Sequence, residues 1–214
     1  MDDGLCSDCL YKMPPIGTIA CPRCSLPGIY TVAECPDCRH LPDSFTQNIS
    51  VWLNEGDAAR VIQLFKFSSR IHLAKIFATV MVQKLIAAEH ISVPCTEFDL
   101  ITFVPMHPFS ERNRGYNQAR VLAEEIALIM GLECRGLLIK KDLTKAQHFL
   151  NREERLSPSR GAVFALADND PTPYQRVLLV DDILTTGATV HFCSQKLLEG
   201  TVAEVTVLTL ARQK

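Results

Sequence analysis

From residue 51 onward the chain alternates short apolar runs with turns, and the period of the apolar positions changes from stretch to stretch. Between 57 and about 90, Val61, Ile62, Leu64 and Phe65, then Leu73, Ile76, Phe77, Val80, Met81 and Leu85, recur at helical spacing with a break at Ser68 and Ser69, which predicts two helices in tandem. Residues 99–104 form an apolar run stopped by Pro105, a predicted strand. After a loop, Ala119, Leu122, Ile126 and Ile129 mark a helix over 115–130 that closes at Gly131. A short strand is predicted at 137–139, a strand buried on both faces at 176–180, a helix at 188–198 and a last strand at 202–210. Strands alternating with helices make this an α/β chain with a mostly parallel sheet flanked by helices. The connection over 140–160 holds Lys140, Lys141, Lys145, Arg152, Arg155 and Arg160 with few apolar anchors, the composition of a functional flap.

The first fifty residues follow no such period. Six of the nine cysteines lie within the first 38 positions, among Pro14, Pro15, Pro22, Pro27, Pro36 and Pro42. The boundary falls between 43 and 50, giving a small cysteine-rich subdomain over 1–45 and a main domain over 46–214. Cys6 and Cys9, Cys21 and Cys24, and Cys35 and Cys38 form three Cys-x2-Cys knuckles, spaced so that two of them can close on one tetrahedral ion. Zinc favours such a four-sulfur shell. A disulfide framework is disfavoured in a reducing compartment, and a redox dithiol calls for one such pair beside a βαβ unit rather than three in a proline-rich stretch. Six cysteines leave a pair over, either for a second site completed by a residue such as His40 or idle, and spacing alone leaves open which four bind. The segment is too poor in large apolar side chains to hold a core of its own, so it is expected to be a zinc-dependent fold, disordered without the metal. Cys95, Cys134 and Cys193 stand singly among apolar neighbours as small core residues.

Of the 214 residues, 47% are hydrophobic and 21% charged, the balance of a globular chain, and no window is apolar for long enough to span a membrane. The start, Met-Asp-Asp-Gly-Leu-Cys, has neither a basic leader nor a following apolar core, so the expectation is a cytoplasmic protein. A formal net charge of -2 neither supports nor excludes nucleic acid as a partner.

The most informative stretch is VLLVDDILTTGAT over 177–189: an apolar strand, two acids at its end, a loop of small residues, then a helix. In an open α/β sheet ligands bind beyond the carboxyl ends of the strands, and a loop entering a helix turns free N–H groups toward an anion. Gly187 permits the tight path, and Thr185, Thr186 and Thr189 add hydroxyl donors suited to a monophosphate. Asp181 and Asp182 are costly at the end of an apolar strand unless they bind something, and two neighbouring ribose hydroxyls match them. A helix cap would need only one acid and no threonine-glycine loop. A second loop, VPMHPFSERNRGYNQA over 104–119, also follows a predicted strand and should open at the same sheet edge. Its Arg112 and Arg114 offer guanidinium forks to a pyrophosphate, against the plainer reading of a solvated charged turn.

The run 177–189 resembles the signature of type I phosphoribosyltransferases: four hydrophobic residues, two acids, hydrophobic residues, Thr-Thr-Gly and a closing Thr. The resemblance implies that Asp181 and Asp182 hold the ribose 2- and 3-hydroxyls of 5-phosphoribosyl 1-pyrophosphate (PRPP), that Thr185, Thr186, Gly187, Ala188 and Thr189 cradle its 5-phosphate, and that Mg2+ rides on the pyrophosphate. Together with Arg-Gly-Tyr-Asn-Gln-Ala over 114–119, Gln-Leu-Phe-Lys-Phe over 63–67 and the cysteine-rich start, the chain resembles the ComF family from Cys6 to Arg212. That family is associated with natural competence and the use of external DNA. By this resemblance Lys66 and Arg114 are phosphate ligands, Gln147 and Arg155 mark the flap, and single-stranded DNA or a competence helicase is an implied partner. An active member would displace pyrophosphate at the anomeric carbon, with Asp181, Asp182 and Arg114 in the catalytic set. His107 in its Pro-flanked loop reads as an exposed residue rather than a general base. The rival expectation is a non-catalytic module on the same fold, sensing the ribose ligand or touching DNA or a competence partner.

Overall fold

The computed structural model describes residues 12–13, 15–67, 70–89, 91, 93–141, 163–167 and 172–214. Cys6, Cys9 and the flap residues Lys145, Gln147, Arg152, Arg155 and Arg160 lie outside the described residues. A 3-10 turn at Cys38–His40 leads into strand β1 (Gln47–Leu53), helices α1 (Gly56–Phe67) and α2 (Leu73–Glu89), strand β2 (Leu100–Phe103), helices α3 (Pro108–Arg114) and α4 (Gln118–Met130), strands β3 (Leu138–Lys140), β4 (Phe164–Leu166) and β5 (Tyr174–Leu184), helix α5 (Ala188–Glu199) and strand β6 (Val202–Arg212).

β1, β6, β5 and β2 lie side by side in that order, all parallel, while β3 and β4 form a separate antiparallel pair. Period-two alternation divides the buried side chains of the sheet between two cores. Leu178, Val180, Leu208 and Leu210 meet Ile62, Phe65, Phe77, Met81, Leu122 and Ile126 of α1, α2 and α4. Val177, Leu179, Val205 and Val207 meet Phe192, Cys193 and Leu197 of α5, and Cys21, Cys24, Cys35 and Cys38 belong to this second core. The cysteine segment is thus packed directly on the α5 face of the sheet.

Two elements that the apolar pattern does not announce have clear physical reasons. β1 buries five consecutive residues, among them Asn48 and Ser50. Ser50 Oγ lies 2.6 Å from Thr209 Oγ1, and the Asn48 amide donates to Ser50 Oγ and accepts from the Thr209 hydroxyl, so the buried polar groups satisfy one another. α3 has no buried residue and hence no apolar period; caps define it instead. His107 Nδ1 accepts from the Phe109 N–H, Pro108 opens the first turn, and Gly115 at φ 92° closes it. Among the described residues no helix is long and apolar enough to cross a membrane.

Candidate functional site

β5 continues in register with β6 as far as Leu184 and Arg212, so both aspartates stand within the last residues of the strand, half-buried at its carboxyl end. Gly187 at φ 79° then turns the chain into α5. Thr185, Thr186 and Thr189 are exposed around this turn, and Gly187 and Ala188 form its buried floor.

Lys66, at the end of α1, reaches this edge and pairs with Asp182, Nζ to Oδ2 2.8 Å. Burial and the charge of Asp182 push the Asp181 carboxyl up to about 7; its hydrogen bond from the Asp182 N–H and the charges of Lys66 and Lys140 pull the other way. Two carboxylates and one ammonium therefore share a confined corner, and Asp181 holds its proton to a higher pH than an ordinary carboxyl.

The Arg114–Gln118 stretch is tied to the same helix end. The Tyr116 hydroxyl donates to the Phe65 carbonyl, and Gln118 Nε2 donates to the Lys66 carbonyl at 3.4 Å. Arg114 donates to Gln118 Oε1 at 2.7 Å, and its guanidinium lies 5.1 Å from the Phe67 ring centre. Asn117 caps α4 by accepting from Ala119 N and donates to the Val104 carbonyl. Lys66, Arg114, Asp181 and Asp182, drawn from distant parts of the sequence, are thus connected through the end of α1. Arg112 is exposed on α3 and, among the described residues, makes no ion pair with either aspartate. His107 serves as the α3 cap.

A second constellation sits beneath the turn. Cys21, Cys24, Cys35 and Cys38 are all buried, with their sulfurs within 4.8 Å of one another. Cys21 Sγ to Cys38 Sγ is 3.8 Å and Cys24 Sγ to Cys35 Sγ is 3.6 Å. A tetrahedral zinc with Zn–S near 2.3 Å spaces its sulfurs by about 3.8 Å, so the donor set fits such an ion, whereas a disulfide requires about 2.05 Å. The hydrogen bond with Cys38 pulls Cys24 down to about 5, and the same contact together with burial holds Cys38 far above its ordinary range. Gathering several thiolates here needs a cation to compensate their charge. His40 is exposed and outside the cluster, its Nε2 accepting from Arg39.

The apolar pattern gave no hint of the residue that joins these two constellations. Arg212, 1% exposed at the end of β6, donates to the Leu184 and Thr185 carbonyls at 3.2 and 2.5 Å, to the Cys24 carbonyl at 3.2 Å, and to Asp37. The signal was present: a cation ending a long apolar strand demands partners for the same reason that Asp181 and Asp182 do.

No family model matches the chain. It is 26% identical to Competence protein F of Haemophilus influenzae over 98% of its length and 91% of that protein. It is 28% identical to DNA utilization protein YhgH of Salmonella typhimurium (98% and 90%) and 29% identical to Competence protein ComFC of Streptococcus pneumoniae (99% and 89%). Similarity of this extent supports the ComF family.

Proposed function

We propose that this chain binds PRPP at the carboxyl edge of β5 and transfers its phosphoribosyl group to an acceptor, in a role connected with competence and the use of external DNA. The observation that supports it best is the pairing of Lys66 with Asp182 at 2.8 Å, beside Asp181 and immediately ahead of an exposed threonine turn at a helix start. The 5-phosphate sits on the turn, where Thr185, Thr186 and Thr189 supply hydroxyl donors beside backbone N–H groups. The ribose diol donates to Asp181 and Asp182. The pyrophosphate, entering as its Mg2+ complex with the ion belonging to the substrate, lies toward Lys66 and Arg114.

In the transfer the C1–oxygen bond to pyrophosphate breaks with its electron pair leaving on the pyrophosphate, and an acceptor lone pair forms the new bond to C1. The acceptor's proton passes to solvent or to the released pyrophosphate. Positive charge that develops on the ribose ring is balanced by the carboxylates beneath it, and the leaving charge by Lys66 and Arg114. Zinc in the four-cysteine cluster is structural, since a closed four-sulfur shell leaves no open position for substrate.

Calorimetric titration with PRPP and Mg2+ tests this. The native chain should bind, and Asp182→Asn should weaken binding by about tenfold through loss of a charged acceptor. Absence of binding by the native chain, or equal affinity in both, overturns it. Binding without pyrophosphate release in the presence of candidate bases points instead to a ligand-sensing module. Salt-dependent binding to single-stranded DNA tests whether this chain itself contacts nucleic acid.

A further inference from the structure

We infer that Arg212 is a positioning residue for the phosphate turn, and that the cysteine cluster is the anchor from which it acts. This rests on reading the turn at 185–189 as the 5-phosphate site.

A turn binds an anion only if its carbonyls point inward and its N–H groups outward. In a trans peptide the C=O of one residue and the N–H of the next point in opposite directions, so holding a carbonyl also aims the following amide. Arg212 Nη1 is shared among the carbonyls of Leu184, Thr185 and Gln213, and the Gln213 N–H donates to the Leu184 carbonyl as well, at 2.9 Å. Those bonds direct the N–H groups of Thr185 and Thr186 away from the protein interior, toward the exposed side of the turn. A guanidinium has enough donors for this and for two further anchors. Its Nε donates to the carbonyl of Cys24, itself one of the four clustered cysteines, and its Nη2 pairs with Asp37, between Cys35 and Cys38.

Two more contacts bind the same turn to the cysteine segment and the chain just after it. Leu41 packs so close that a Cβ at residue 187 would lie 2.8 Å from its Cδ1. Ser44 Oγ lies 2.6 Å from the ring Nδ1 of His191, and the backbone N–H of His191 donates to the Gly187 carbonyl at 2.9 Å. The cluster thus acts as a fixed support under the turn, and Arg212 passes that rigidity to the peptide planes that meet phosphate. Lysine, with one ammonium, cannot bridge the same acceptors.

The test uses the full-length, metal-loaded chain and three variants, Arg212→Lys, Asp37→Asn and Asp182→Asn, with ribose 5-phosphate and Mg-pyrophosphate as separate probes by calorimetry. Amide spectra of residues 185–189 are recorded with and without inorganic phosphate. Arg212→Lys should weaken ribose 5-phosphate by about 30-fold and Asp37→Asn by about fivefold, while Mg-pyrophosphate affinity and bound metal stay unchanged. Asp182→Asn should weaken ribose 5-phosphate without moving the amide signals of Thr185 and Thr186. Native affinity for ribose 5-phosphate in both Arg212→Lys and Asp37→Asn overturns the inference. So does a parallel loss of both probes, the mark of general destabilisation. Asp37 is 36% exposed in its side chain, so Asp37→Asn keeps the test open if Arg212→Lys fails to fold. Should the native chain bind neither probe, the reading of function falls. The inference about the turn is then decided by the ligand-free amide signals, which must shift at Thr185 and Thr186 in Asp37→Asn for it to stand.

Discussion

Asp181 and Lys66 show how much a few charged groups at one strand end must be balanced against each other. The fold raises the Asp181 carboxyl from its ordinary 3.8 to about 7, so between those values the folded chain keeps a proton that the unfolded chain has released. Its contribution therefore favours folding at low pH and is lost as pH rises toward 7. Asp181→Asn should accordingly raise stability more at pH 8 than at pH 4, as denaturant melts at the two pH values will show. Ligand binding has the opposite sign: a diol needs an ionised acceptor, so PRPP affinity should rise more steeply from pH 6 to pH 8 in the native chain than in Asp181→Asn, where only the phosphates of the ligand still titrate. Lys66→Ala leaves Asp182 unpaired beside a second acid and should cost about 2 kcal/mol at pH 8. Much of that loss should be recovered when Asp182→Asn is added, in a double-mutant cycle. The acids and threonines were legible because carboxylates ending an apolar strand ask for a ligand. The Lys66–Asp182 distance was not legible, because 115 intervening residues say nothing about which strand end α1 meets.

At the level of elements, the turn between β5 and α5 depends on a backbone conformation as much as on side chains. Gly187 takes φ 79°, which a Cβ disfavours, and the added atom would also displace the Leu41 methyl. Gly187→Ala should lower stability by about 1 to 2 kcal/mol and weaken ribose 5-phosphate more than Mg-pyrophosphate, measured by melting and calorimetry. Most helices and the long strands were legible because one face, or both, had to be apolar. β1 hid because Asn48, Ser50 and Thr209 exchange hydrogen bonds inside the protein, so its buried positions include polar residues. α3 hid because it buries nothing and is specified by His107, Pro108 and Gly115. The loop it belongs to was singled out by its arginines, while its helical shape came from local capping.

Across the whole molecule the cysteine cluster and the sheet share one core. Cys21, Cys24, Cys35 and Cys38 pack with Leu184, Ala188 and Val190, at the root of the turn between β5 and α5. Trp52, the sole tryptophan, is buried in the core on the other side of the sheet. Removing metal with a chelator, or Cys35→Ser, should therefore cost about 3 kcal/mol or more and bring forward the melting followed by Trp52 fluorescence, not merely loosen the cysteine segment. A Trp52 transition that ignores metal loss would show the two parts to be independent. The sequence alone determined the α/β class, the cysteine spacing that allows a metal and the acid-threonine turn, because each depends on neighbours a few positions apart. Only the tertiary structure decided that, among the described residues, Cys21, Cys24, Cys35 and Cys38 converge, that Lys66 meets Asp182, and that Arg212 joins the cluster to the turn. Those contacts cross as many as 188 positions and exist only where the parallel strands place their carboxyl ends side by side.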